Sequence, residues 1–256
     1  MIPRHSSATI AEMRPVGAFV AKVLSELETQ ALPGVSLLEL DERAHQMIRD
    51  AGATSCYLDY HPSFGGSPFG KVLCTSVNDA ALHGLPYGYV LEEGDLLSLD
   101  FAVSVNGWVA DSALSLVVGG NPTAADQTLL DTCHQALLAG IDQARPGQRL
   151  SDISHAIGEV SRGAGYAVNT DFGGHGVGRT MHEDPSIPND GEPGRGPKLK
   201  PGMVFAIEPW LMETTSEVYT DADGWTLRSS DGSRSAHVEH TVVVTEGEPL
   251  VLTARA

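Results

Sequence analysis

The sequence predicts a mixed α/β (α+β) chain built as two duplicated halves around a shared core. Segments with a helical apolar period alternate with segments of period two. The run Ala31-Leu-Pro33-Gly34-x-x-Leu37 recurs 113 positions later as Ala144-Arg-Pro146-Gly147-x-x-Leu150, and Arg49-x-Ala51-Gly52 recurs at the same offset as Arg162-x-Ala164-Gly165. Each copy follows a helical pattern and precedes strands. Shared Pro-Gly punctuation explains only part of the match. The expected organisation is a tail over residues 1–9 and a single domain over 10–256, with halves at approximately 10–120 and 121–256. A site between such halves draws its groups from both.

Helical periodicity predicts a first helix over Ile10–Leu27, broken at Pro33-Gly34, and a second over Leu37–Asp50 with Leu40, Ala44, Met47 and Ile48 on one face. HPSFGGSPFG at 61–70 reads as a Gly/Pro-rich loop. Strands are expected at Val72–Val77, Asp95–Val105 and Trp108–Val118, then helices at Ala124–Ala144 and Leu150–Gly163. Short strands and loops follow to the end, including a long loop at 186–202.

The chain has 256 residues, 41% hydrophobic and 19% charged, as expected of a globular protein with a sizeable core. No apolar run approaches the roughly 18 residues of a membrane span, and MIPRHSSATIAEMRP has no apolar segment of a secretory signal. Cys56, Cys74 and Cys133 are odd in number and lack C-x-x-C spacing. This argues against a disulfide framework or a thiolate zinc site and fits a reducing cytoplasm. A net charge of −17 disfavours general attraction to nucleic acid or anionic lipid.

The chemistry begins in LSLDFAVSVNGWVADSAL. Asn106-Gly107 is a two-residue hairpin signal. Closing that turn sets Val105 opposite Trp108, Ala102 opposite Asp111 and Asp100 opposite Ala113. Asp100 and Asp111 become diagonal neighbours on one face, about 7–8 Å apart at Cα, a span two carboxylates can close onto one cation. The plainer alternative is a solvated strand face, but Ser98, Ala102 and Ala113 leave room beside the acids. GGHGVGRTMHEDP sets His175 between glycines, with His182 seven residues on; glycine flanks permit close backbone approach. The run lacks the lysine of a phosphate loop. Glu208 ends the apolar run from Met203, with Val204, Ala206 and Glu208 sharing a face by alternation, and Glu239 sits inside another apolar strand. A buried carboxylate needs a cation, and only 16 Lys and Arg are available. Salt bridges to Arg179, Arg228 or Arg234 are the competing explanation. Four carboxylates with one imidazole suit Mn²⁺, Fe²⁺, Co²⁺ or Mg²⁺ better than a structural zinc site.

VNDAALHGLP, LDFAVSVNGWVADS, GGHGVGRTMHEDP, KPGMVFAIEPW and SAHVEHTVVVT together resemble the type I methionine aminopeptidases, from about Ile10 to Leu252. The resemblance implies a pita-bread fold, pseudo-twofold, with a curved antiparallel sheet covered by helices. It implies two divalent ions (Co²⁺, Mn²⁺, Fe²⁺ or similar) on Asp100, Asp111, His175, Glu208 and Glu239, and substrate contacts from His83 and His182. The implied activity is removal of initiator methionine from nascent chains whose second residue is small. In that mechanism Glu208 takes up the water's proton, His182 stabilises the oxyanion and His83 contacts the peptide. Candidates for the methionine slot are Tyr60, Phe64, Phe69, Cys74, Met181 and Trp225. A cytoplasmic monomer is expected, acting on nascent N-termini without membrane or sequence-specific nucleic acid, and leaving a transient ribosome contact open. Alternatives are an Xaa-Pro aminopeptidase-like enzyme and a non-catalytic peptide- or protein-binding relative. The chain departs from the commoner pattern at Val109-Ala110, Ser112, Met181 and His237, the last where glutamine is usual.

Overall fold

The computed structural model describes residues 2–62 and 67–255. In chain order the elements are α1 (Ser7–Gln30), α2 (Leu37–Ala51), β1 (Thr54–Ser55), β2 (Cys74–Val77), β3 (Ala80–Leu82), β4 (Leu96–Val105), β5 (Trp108–Val117), α3 (Ala124–Gln143) and α4 (Leu150–Gly163). Then come β6 (Gly173–Gly176), β7 (Glu183–Pro188), β8 (Val204–Ile207), β9 (Trp210–Met212), β10 (Val218–Thr220), β11 (Leu227–Ser229), β12 (Ser235–His237), β13 (His240–Val243) and β14 (Leu250–Val251).

The repeat is physical. α1 ends at Gln30 and α3 at Gln143, while α2 begins at Leu37 and α4 at Leu150, so both helix junctions keep the sequence offset. Gly34 and Gly147, equivalent by that offset, share a left-handed φ of 94° and 97°. Ser36 caps α2 and Thr123 caps α3, each in a reciprocal box with the acid three residues on, Glu39 and Asp126. α1 starts three residues before the expected helix because the Ser6 hydroxyl accepts the Thr9 N–H at 3.1 Å. Residues of the expected tail are pinned, with the His5 N–H on the Gly202 carbonyl at 2.7 Å and the His5 ring edge-on to Trp108.

Two main sheets carry the halves. One holds β1, β4 and β2, with β5 also on β4; the other runs β14-β13-β8-β6-β7. Small sheets β10-β11-β3 and β12-β9 flank them. All these pairings are antiparallel. The sheets meet where the Glu239 N–H donates to the Ala113 carbonyl at 3.1 Å and the Asp111 N–H to Thr241 Oγ1 at 2.9 Å. One core gathers Val20, Leu24 and Leu27 of α1, Leu40 and Met47 of α2, and Leu99 and Phe101 of β4. A second gathers Leu129 and Leu137 of α3, Ile153 and Ile157 of α4, Phe205 of β8 and Val242 of β13. Burying each such side chain stabilises by about 1.5–3 kcal/mol. No helix among the described residues is long and apolar enough to cross a membrane.

Candidate metal centre

The hairpin closes in the expected register: Val105 opposes Trp108, Ala102 opposes Asp111 and Asp100 opposes Ala113. Asn106 (φ 54°) and Gly107 (φ 73°) both take the left-handed values of the tight turn that matches strand twist. β4 and β5 thus deliver two aspartates to the inner face. His175 arrives on β6. A Cβ at Gly174 would sit 2.3 Å from the Ala206 carbonyl oxygen, and one at Gly176 2.3 Å from that of Asp184. Only glycine lets β6 approach both neighbours closely enough to place the imidazole.

The two glutamates occupy positions that alternation misreads. Val204 to Ile207 are all buried, so β8 is covered on both faces and Glu208 follows its end. Glu239 lies not inside a strand but in the break between β12 and β13. Glu208 lies in the matching break between β8 and β9. β9 pairs with β12 and β8 with β13, so both segments pass from one sheet to the other at these acids. There the regular ladder is interrupted and a side chain is free to turn inward.

All five expected ligands line one cavity of about 430 Å³. Ligand atoms of Asp111, His175 and Glu239 lie within 4.8 Å of one another, and His175 Nε2 is 3.4 Å from Glu208 Oε1. The Tyr57 hydroxyl donates to Asp100 Oδ1 at 2.5 Å and stands 3.3 Å from Asp111 Oδ1, tying these two together. Burial pushes Asp111 well above the usual carboxylate range, with Asp100 and Glu208 adding to it. Burial pushes Glu239 up likewise, reinforced by Asp111, Glu208 and Asp100. Burial alone would raise Glu208 too, but His237, His175 and His182 hold it below the ordinary glutamate value. Glu239 Oε1 is buried without a hydrogen-bond partner among the described residues. Crowded acids with an unsatisfied oxygen are what a divalent cation relieves, so these residues fit the implied metal.

The arginines do not supply that charge. Arg234 pairs with Asp126, Arg228 with Asp79 and Asp221, and Arg179 stacks on Trp108 with its guanidinium 3.5 Å from the ring centroid. Arg255 lowers the Glu239 pKa by its charge, but its guanidinium bonds Ser112 and the Ala113 carbonyl.

The rest of the cavity wall holds Tyr60, Phe69, Cys74, Met181 and Trp225 with both histidines, His83 and His182. Phe69 meets Trp225 edge-on at 5.1 Å. Phe64, also expected here, lies outside the described residues. His83, at φ 55°, has its ring beside Phe172 and its pKa lowered chiefly by burial. His182 lies edge-on to His175 with ring centroids 4.4 Å apart. Desolvation inside the cleft, then His175, pulls its pKa down to about 4, although the outer edge of the residue reaches solvent. Tyr57 and Phe172 are among the wall residues that escaped sequence reasoning. Tyr57 lies just past the two-residue β1, too short to carry a period, and only its hydroxyl contacts with Asp100 and Asp111 reveal where it points.

The model of metallopeptidase family M24 matches residues 11–246. Methionine aminopeptidase 1 of Mycobacterium tuberculosis is 42% identical over 260 residues, covering 99% of this chain and 95% of the relative. Methionine aminopeptidase 1 of Bacillus subtilis is 42% identical over 234 residues, covering 91% and 92%. The crystal structure of methionine aminopeptidase from Thermotoga maritima superposes with a TM-score of 0.94 at 35% identity, covering all of both chains. Prolidase from Pyrococcus furiosus superposes at 0.77 with 20% identity, over 99% of this chain and 66% of its own, and shares the pita-bread fold alone. With such matches along nearly its whole length, the chain belongs to metallopeptidase family M24, among the methionine aminopeptidases.

Proposed function

We propose that this chain removes the N-terminal methionine from nascent polypeptides whose second residue is small, using two divalent ions such as Co²⁺, Mn²⁺ or Fe²⁺. The observation that carries this reading is a single cavity that joins five candidate ligands to an apolar wall of Tyr60, Phe69, Cys74, Met181 and Trp225. Such a wall suits a thioether, which packs well against aromatic edges. Asp100, Asp111, His175, Glu208 and Glu239 would hold the ions, which when bound polarise water and the scissile carbonyl.

The remaining chemistry belongs to the side chains. Glu208, anionic and reached by imidazoles on both oxygens (His175 at 3.4 Å, His237 at 3.6 Å), accepts the attacking water's proton and returns it to the leaving amine. His182 is neutral at pH 7. Its Nδ1 lies 3.0 Å from the Tyr60 hydroxyl, a phenol that burial keeps protonated. We assign Tyr60 the donor role toward Nδ1, which leaves the ring proton on Nε2 for the developing oxyanion. His83 steadies the peptide beside the scissile bond. Free thiols at Cys56, Cys74 and Cys133 support a cytoplasmic location; we assign action as a monomer, with any ribosome contact transient.

Release of methionine from Met-Ala, with little from Met-Leu and none of alanine from Ala-Pro, is the expected pattern under Mn²⁺, Co²⁺ or Fe²⁺. Cleavage of Ala-Pro alone would instead indicate an Xaa-Pro enzyme, and no cleavage with no metal uptake a binding protein. Glu208→Gln should keep the fold and lose at least ~100-fold in kcat; near-normal turnover would overturn the role given to Glu208.

A further inference from the structure

Tyr57 touches both the acids and the apolar wall of the site. The Ser55 hydroxyl accepts the N–H groups of Tyr57 at 3.1 Å and Leu58 at 3.2 Å, a local turn that throws the tyrosine ring inward. The Tyr57 carbonyl is in turn held by the Tyr60 N–H at 2.9 Å. The ring is buried, edge-on to Phe69 at 5.8 Å, and forms part of the cavity wall. Its hydroxyl reaches past the wall to Asp100 Oδ1 at 2.5 Å. A phenol has one proton to give. At 2.5 Å against 3.3 Å, Asp100 receives it and Asp111 does not. An ordinary phenol keeps its proton at neutral pH, so the group is a neutral donor.

A carboxylate oxygen can accept from a donor and still ligate a cation through its second lone pair. A hydrogen bond of this kind fixes the rotamer of a ligand and limits the ways it can recoil from neighbouring acids. We infer that Tyr57 is a positioning residue of the metal centre, steadying Asp100 with the hydroxyl of the ring that bounds the apolar pocket. The strength of metal binding and the shape of the side-chain pocket therefore meet in one residue. This rests on the metallo-aminopeptidase reading above.

The test is calorimetric titration of Mn²⁺ alone into metal-stripped protein, with Met-Ala kinetics alongside. Tyr57→Phe keeps the ring and removes only the donor. Its Mn²⁺ affinity should fall about 10–100-fold, the range typical when the partner of a metal ligand is lost. Activity at limiting Mn²⁺ should fall in step with metal occupancy and rise again as Mn²⁺ is added, a metal-dependent rescue that general loss of structure does not produce. p-Aminophenylalanine placed at position 57 restores a weaker donor, and its affinity should fall between the two. That comparison decides the matter if the phenylalanine variant does not fold. Affinity equal to the parent's in either variant overturns the inference, and tighter binding by Tyr57→Phe overturns it by making the phenol a competitor of the ion. Failure of the parent to bind Mn²⁺ strikes instead at the metallo-aminopeptidase reading itself.

Discussion

At the scale of residues, what distinguishes this cavity is the unequal treatment of three of its acids. Burial and mutual repulsion raise the pKa of Asp111 and Glu239, whereas imidazoles hold Glu208 low and anionic. His237 extends that logic. Its Nε2, buried and without a hydrogen-bond partner among the described residues, stands 3.6 Å from Glu208 Oε2. With Tyr60 assigned as donor to His182 Nδ1, their contact would set the ring's tautomer. Tyr60→Phe should therefore lower kcat by roughly tenfold while leaving KM nearly unchanged, because the donor to the oxyanion is then no longer confined to Nε2. A change in KM alone would make Tyr60 a wall residue only. The candidate ligands were legible in the sequence since each is an acid or histidine in an apolar or glycine-flanked run. Tyr57 was not, because a tyrosine next to a two-residue strand carries no pattern that says which way it faces.

The elements supply placement. β4 and β5 offer the two aspartates through a register that the Asn106-Gly107 turn dictates, and here sequence and structure agree residue for residue. β6 is different, since its place depends on what it must squeeze between. Gly174→Ala would drive a methyl into the Ala206 carbonyl, with 2.3 Å available. Parting β6 from β8 should cost ~1–3 kcal/mol of stability and displace His175. Both a lower melting temperature and weaker Mn²⁺ uptake are expected. A variant with parental stability and uptake would show that the strand adapts. Glu208 and Glu239 owe their positions to the breaks between β8 and β9 and between β12 and β13, which no local alternation announces. There the period-two reading failed, because those strands are covered on both faces and residue polarity no longer reports direction.

The whole molecule is organised by its duplication. Leu24 of α1 and Leu137 of α3 are equivalent under the sequence offset, and both are fully buried, each in the core of its own half. Truncation of either to alanine should cost about 2–5 kcal/mol. If residues 10–256 fold as one domain, scanning calorimetry of each variant will give a single transition moved to lower temperature. Two transitions, with only the one belonging to the mutated half displaced, would mean that the halves melt separately. The candidate centre argues for coupling, since Asp100 and Asp111 come from one half and His175, Glu208 and Glu239 from the other.

The sequence by itself determined the helices, the hairpin register, the duplicated plan and the identity of the candidate ligands. These follow from local periodicity, turn chemistry and the cost of burying a charge, all of which act over a few residues or recur as a repeat. Tertiary structure alone decided how close β6 could come, where the paired strands break to free Glu208 and Glu239, and that Tyr57 would reach Asp100. Those outcomes depend on contacts between segments distant in the chain, such as Gly174 with Ala206, Glu239 with Ala113 and Tyr57 with Asp100. Steric fit and hydrogen-bond geometry across such distances are properties of the packed sheets, and no window of sequence contains them.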